Sequence, residues 1–204
     1  KKTIELISIP FSHSFGIGRL KCFATNGHTI VINDKPENLA NIFVLFEKHK
    51  VTGFSMVPSG IDILKKINFL NFSKISKNLK FIELGSEKIN RPSLDWLKKV
   101  FKKTVIYHHY GMTEASRSAF KIYRNQDKKL NYYKSSPGIN INLINNKNQF
   151  CKKNEIGEIV IKGKSVSSGY VNKEIMKKKF SKFGYHSGDL GKRISKNTFE
   201  IKGR

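Results

Sequence analysis

Tyr110-Gly111-Met112-Thr113-Glu114 gathers four chemical capacities within five residues. The Tyr ring offers a flat face for a base. Gly lets the backbone turn tightly and approach a ligand. The Thr hydroxyl can hold a phosphate oxygen, and the Glu carboxylate is a hard oxygen ligand for Mg2+. The apolar run Thr104 to His108 before it reads as a strand, so the string is expected in a loop just beyond a strand end. Alone, it also reads as a loop with a chance aromatic.

Further strings follow in order. Gly157-Glu158-Ile159-Val160-Ile161-Lys162-Gly163 precedes Ser168-Gly169-Tyr170-Val171-Asn172, then comes Gly184-Tyr185-His186-Ser187-Gly188-Asp189-Leu190-Gly191, and Ile201-Lys202-Gly203-Arg204 ends the sequence. Upstream stand Ile9-Pro10-Phe11-Ser12-His13-Ser14-Phe15-Gly16 and Gly85-Ser86-Glu87. Together the series resembles the AMP-forming acyl-adenylating superfamily: acyl-CoA synthetases, luciferases and the adenylation domains of peptide synthetases. The match runs over essentially the whole chain.

The resemblance implies a role for each position. Adenine would lie between the Gly85-Ser86-Glu87 backbone and the Tyr110 ring, with His109 lining the adenine or acyl pocket and Gly111 close by. Asp189 would accept from both ribose hydroxyls, since both its oxygens are acceptors, and Arg204 would reach the ribose from the other side. The Tyr110 phenol and the Asp189 carboxylate should then face each other across one adenosine-sized crevice. Thr113 would hold the α-phosphate and Glu114 would ligate Mg2+, which makes these two the catalytic pair. His13, Ser59, Gly85 and Gly111 would border the acyl group. His108 receives no role. The implied reaction joins a small-molecule carboxylic acid to AMP from ATP and then passes the acyl group to a thiol, with coenzyme A as co-substrate. Met112 leans toward acyl- or aryl-CoA ligases, because amino-acid adenylation domains more often carry Pro there.

Departures are visible too. Ser187 stands where the family has Thr, keeping the hydroxyl, and Ser135-Ser136-Pro137-Gly138 shortens a Gly-rich approach. The family's phosphate loop, expected before Thr3, and its C-terminal lid, expected after Arg204, are not in this sequence. The expectation is therefore a fragment that alone performs neither half-reaction.

The elements that must position these residues fall into two textures. Through about residue 125, strands alternate with helices. Strand readings cover Ile4 to Ile9, Thr29 to Ile32, Val51 to Val57, Leu79 to Leu84 and Thr104 to His108. Helix readings cover Ser14 to Thr25, a segment opened by Asp34-Lys35-Pro36-Glu37 and running to His49, Pro58 to Ile67, and one begun by Arg91-Pro92-Ser93. In the second of these helices Leu39, Ile42, Phe43 and Phe46 share a side, and in the last Leu94, Leu97, Val100 and Phe101 recur at helical spacing. This alternation predicts right-handed βαβ units and a largely parallel sheet, an α/β class with helices flanking it.

From residue 126 to 204 short strands succeed one another: Ile139 to Ile144, Glu158 to Ile161, Leu190 to Ile194 and Thr198 to Ile201. One helix, Lys173 to Phe180, interrupts them. Here a β-rich subdomain is expected, closing on a hairpin with Ser195-Lys196-Asn197 as a three-residue turn.

Composition bounds the rest. The net charge of +24 comes from 33 Lys and six Arg against 15 acidic residues. The lysines are dispersed among Asn and Ile, as AT-rich codons produce, and runs such as Lys128-Lys129, Lys152-Lys153 and Lys177-Lys178-Lys179 are short. The reading is a solvated surface with no nucleic-acid partner; a basic nucleic-acid module would need clustered Arg and Lys interleaved with aromatics on one face. Cys22 and Cys151 form no framework or metal spacing and read as reduced thiols of a cytoplasmic protein. No run approaches the roughly 18 apolar residues of a spanning helix.

Overall fold

The computed structural model describes residues 2–33, 38–67, 72–124 and 132–204. The chain divides into two compact units, Lys1–His109 with Ile122–Lys129, and Tyr110–Lys121 with Leu130–Arg204. The expected boundary at 125/126 falls among residues outside those described.

The first unit is built of strands β1 (Ile4–Ile7), β2 (Thr29–Ile32), β3 (Gly53–Met56), β4 (Phe81–Leu84) and the first part of β5 (Val105–Met112). Between them run α1 (Ser14–Asn26), α2 (Leu39–His49), α3 (Pro58–Ile67), α4 (Phe72–Ser76) and α5 (Arg91–Val100). The strands pair in the order β2-β1-β3-β4-β5, every pair parallel. Parallel strands need covered faces, so their sequences are short continuous apolar runs, not alternating ones. Leu6, Phe54, Ile82 and Ile106 bury against Ile42 and Phe46 of α2, Ile61 and Leu64 of α3 and Leu97 of α5. Phe72 of α4 meets Phe43 and Trp96 edge-on, with centroids at 4.9 and 5.0 Å.

Helix limits follow local chemistry. Asn90 caps α5, its Oδ1 accepting from Ser93 N at 2.8 Å, and Pro92 occupies the first turn, where a missing N–H costs nothing. Asn38 caps α2 in the same way. The helix start expected at Asp34-Lys35-Pro36-Glu37 lies outside the described residues, and the side chain of Leu39 with it; Ile42, Phe43 and Phe46 are buried. At the far end of α1, Gly27 takes a left-handed conformation at φ 62° and returns its N–H to Phe23 O.

The second unit is antiparallel. It holds the end of β5, β6 (Ala115–Tyr123) up to Lys121, β7 (Tyr133–Ser135), β8 (Ile139–Ile144), β9 (Ile156–Gly163), α6 (Lys173–Lys179), β10 (Phe180–Ser181), β11 (Gly184–Ser195) and β12 (Thr198–Gly203). The order is β6-β7-β12-β11-β9-β8, with β10 against β11. Its core gathers Ile141, Leu143, Ile159, Ile161, Tyr185 and Phe199.

Three expectations are corrected here. The strand read as ending at His108 continues to Met112, so Tyr110, Gly111 and Met112 lie in β5 and only Thr113 and Glu114 form the turn. The polar string after it hides β6, whose Ser and Arg positions alternate too irregularly to read as a strand. Finally, Ser195 pairs Thr198, which leaves Lys196 and Asn197 as a two-residue turn. Among the described residues no helix is long and apolar enough to cross a membrane.

Leu97 is completely buried in the first core. Leu97→Ala should cost ~2–5 kcal/mol of unfolding free energy, the range for a large core truncation, measured by urea denaturation with an unchanged slope.

Candidate functional site

The expected site residues are distributed over both units, each described on its own. In the second unit the decisive feature is an irregularity in β11. His186 pairs Val160 and Leu190 pairs Glu158, so Ser187, Gly188 and Asp189 stand opposite the single residue Ile159. A bulge of this kind re-aims a side chain out of the ladder. Gly188 makes it feasible by adopting φ 78°, a region that side-chain-bearing residues enter with strain. The bulge is tied down at three points. Ser187 Oγ donates to Ile159 O at 2.7 Å, Asp189 N donates back to Ser187 Oγ at 3.0 Å, and Gly188 N donates to Glu158 Oε1 at 3.0 Å.

Among the described residues, the carboxylate so presented meets Tyr110 and Arg204. The Tyr110 hydroxyl donates to Asp189 Oδ2 at 2.8 Å, and Arg204 Nε donates to Oδ1 at 3.0 Å. Tyr110 and Asp189 are therefore in direct contact, not separated by the crevice the sequence led us to expect. The physical reason is that a buried phenol needs an acceptor, and the bulge supplies one within hydrogen-bond reach. The Tyr110 ring is 8% exposed and meets Tyr133 and Phe199 edge-on. Burial pushes its phenol well above the ordinary tyrosine range, opposed by a hydrogen bond with Ser187 and reinforced by Asp189, so Tyr110 acts as a proton-bearing donor. The Arg204 side chain is 79% exposed, so its pairing with Asp189 adds little stability and leaves the guanidinium able to reorient.

Thr113 is exposed at the turn after β5, and Glu114 is half-buried beside it. Ser167 N donates to Glu114 O at 2.7 Å, Ala115 bridges to Val166, and the Tyr170 hydroxyl donates to Glu114 Oε1. That bond raises the Tyr170 phenol, with burial adding to it. Among the described residues no cluster of three or more His, Cys, Asp or Glu could hold a metal ion. A single carboxylate still suits Mg2+, which keeps several waters and takes one or two protein carboxylates beside substrate phosphates.

In the first unit, the ring of His109 lies against Gly85. A Cβ built on Gly85 would stand 1.9 Å from His109 Cε1, so only glycine permits this approach. His109 Nδ1 pairs with Glu83 Oε1 at 3.1 Å, and its ring meets that of Phe15 edge-on at 4.3 Å. Ser86 is exposed at φ 70°. Glu87 and Ser59, expected in separate roles, are bonded together: Ser59 N and Oγ donate to the Glu87 carboxylate at 2.9 and 3.2 Å, capping the first turn of α3. His13 is exposed and caps α1, its Nδ1 accepting from Phe15 N at 3.2 Å. His108 pairs with Glu87 O at 2.7 Å.

Behind His109 lies a charge cluster that sequence reasoning missed. Arg19 Nε and Nη2 donate to the two oxygens of Glu5, Nη1 donates to Glu83 Oε2 at 2.8 Å, and Ser55 Oγ donates to Glu5 Oε1. All four side chains are buried. Burial works to lower the Arg19 guanidinium, but the Glu5 hydrogen bond and the charges of Glu83 and Glu5 outweigh it and raise it overall. The signal was present: single carboxylates centred in the otherwise apolar strands Ile4–Ile7 and Phe81–Leu84, and one of only six arginines inside a helix.

Comparisons with known proteins bear on the family and the fold. A family model described as AMP-binding enzyme matches residues 2–171. Bacitracin synthase 3 of Bacillus licheniformis is 26% identical over 213 residues, covering 95% of this chain and 3% of that protein. Luciferin 4-monooxygenase of Nipponoluciola cruciata is 27% identical, covering 93% of this chain and 35% of its own length. The chain thus spans a minor share of each relative. Among solved structures, the O-succinylbenzoate coenzyme A synthetase of Bacillus subtilis in complex with AMP has a TM-score of 0.82 at 24% identity, over 99% of this chain and 41% of that one. That likeness shows the fold.

Two outcomes are expected. Arg19→Met leaves two buried carboxylates without their cation and should cost ~3–5 kcal/mol in chemical denaturation. For Tyr110, a raised folded-state pKa means its contribution is whole below the ordinary tyrosine value and is lost as pH climbs above it. In Tyr110→Phe the fall of stability above about pH 10 should be shallower by ~1 kcal/mol per pH unit, read from urea midpoints.

Proposed function

We propose a function from one premise: the chain belongs to the AMP-binding enzyme family. On that premise it is part of an ATP-dependent ligase that activates a carboxylic acid as its acyl-adenylate and then passes the acyl group to a thiol, coenzyme A. The observation that carries the proposal is the Asp189 carboxylate, pushed out of β11 by a bulge and held from both sides by Tyr110 and Arg204.

Each carboxylate oxygen has two lone-pair directions, so Asp189 can accept from both ribose hydroxyls while keeping Tyr110 and Arg204. Because Tyr110 holds its proton throughout, the carboxylate keeps one orientation, and ribose recognition carries no cost of reorienting it. Exposed Thr113 would donate to an α-phosphate oxygen at the turn. Glu114, oriented through one oxygen by Tyr170, would hold Mg2+ through the other. When bound, Mg2+ would withdraw charge from the phosphates of ATP as the adenylyl group is transferred. In the first unit, Gly85 and His109 are proposed to line the acyl pocket, with the small glycine setting how near the imidazole comes. The choice of coenzyme A over a carrier-bound thiol rests on Met112 in the Gly-Met-Thr-Glu sequence.

The test is nucleotide binding by calorimetry. AMP should bind saturably at moderate salt, and Asp189→Ala should weaken it by ~1–3 kcal/mol, the loss for hydrogen bonds to a charged group. Deoxygenating the ribose 2′ position should weaken binding to the parent and change nothing further in Asp189→Ala. Equal AMP affinity for parent and variant would remove Asp189 from the site. Binding of DNA with steep salt dependence in place of AMP would sink the family-based reading.

A further inference from the structure

We infer that Ser181 is an activated hydroxyl able to take an acyl group from an activated ester, through a Ser181-His186-Glu158 relay on the second unit's surface. The three residues come from β10, β11 and β9. Ser181 Oγ lies 2.8 Å from His186 Nε2, and His186 Nδ1 lies 2.8 Å from Glu158 Oε2. The strands place them together. Ser181 pairs Gly184 across a two-residue turn, so its side chain shares a face with position 186, and His186 pairs Val160 two residues from Glu158 on the neighbouring strand.

The protons can be assigned from the partners. An ionised carboxylate only accepts, so His186 donates from Nδ1 to Glu158, and in the neutral ring Nε2 then carries the lone pair. Phe183 N donates to Ser181 Oγ at 3.1 Å, which fills an acceptor direction and leaves the hydroxyl proton aimed at Nε2. Glu158 is itself fixed, its second oxygen taking the Gly188 N–H. The result is a nucleophile, a base of defined tautomer and an orienting carboxylate, recognised by geometry and role whatever the fold. Ser181 is exposed, and the side chains of His186 and Glu158 are 19% and 34% exposed, so an ester can reach the hydroxyl while the base stays sheltered.

The step balances as follows. Ser181 Oγ forms a bond to the acyl carbon as its proton passes to His186 Nε2. The bond from the acyl carbon to the leaving oxygen breaks, and the leaving group departs as its anion or takes the proton from His186. Base assistance of this kind contributes about 10²–10⁴-fold. We assign one stoichiometric transfer and not turnover, because turnover would also require an activated water to release the acyl group from Ser181. The assignment is independent of the adenylate reading and of Asp189.

The protein is treated with p-nitrophenyl acetate, digested and mapped by mass spectrometry. The peptide carrying Ser181 should gain an acetyl group that neutral hydroxylamine removes, as it removes esters and not the amides formed on lysine. Ser181→Ala should lose this label. His186→Gln, which can still hydrogen-bond to both neighbours, should acquire it roughly tenfold or more slowly, while lysine acetylation proceeds equally in all three. Absence of a hydroxylamine-labile acetyl group on Ser181 in the unmodified sequence, a result that needs no variant to fold, would overturn the inference. So would equal Ser181 labelling in His186→Gln.

Discussion

The second unit depends on one constraint: β11 must pair along both edges and still turn a carboxylate out of the ladder. In a regular strand the side chain at this position would follow the two-residue alternation of its neighbours, and Asp189 would not be re-aimed out of the ladder. Three residues opposite Ile159 resolve the conflict, and the backbone groups freed by the irregularity must then be satisfied locally. The Ser187 hydroxyl and the Glu158 carboxylate do so, which is why Asp189 reaches a fixed position with a part-buried side chain. Tyr110, whose buried phenol needs an acceptor for its proton, completes the arrangement. The same Glu158 orients His186, so a single carboxylate serves the bulge and the Ser181 relay together.

The first unit solves a different problem. Its parallel sheet is apolar in nearly every strand position, yet Glu5 and Glu83 sit inside it. Two buried carboxylates tolerate each other only with a cation between them, and the planar fork of Arg19 reaches both at once. A lysine, a point charge on a flexible stem, could not bond three oxygens in this geometry. In a chain with 33 lysines, the appearance of arginine at this buried position has that physical meaning. Glu83 in turn meets His109, so the ion cluster and the imidazole against Gly85 form one bonded network.

What could be read from the residues depended on range. Helices α2, α3 and α5 were legible from spacing and from start signals such as Pro58 and Arg91-Pro92-Ser93, because such signals and periodicity act within a turn or two. Strands β1 to β4 were legible as apolar runs between breakers. The limits of β5 and the existence of β6 were not, since Gly111 and the polar residues after it carry no local pattern that separates strand from loop. Likewise Ser59 and Glu87 appeared as two unrelated candidates, and only the fold that brings the loop after β4 to the start of α3 joins them.

The order of the short strings, Tyr-Gly-Met-Thr-Glu through Ser-Gly-Asp-Leu to Lys-Gly-Arg, was enough by itself to determine the family and the fold class, because those depend on which residue types occur in which sequence. Tertiary structure alone decided which side chains touch. Asp189 with Tyr110, Arg19 with Glu5 and Glu83, and Ser181 with His186 and Glu158 are brought together by sheet register and by a bulge. Register is a property of paired strands, and a residue does not carry its partner's number.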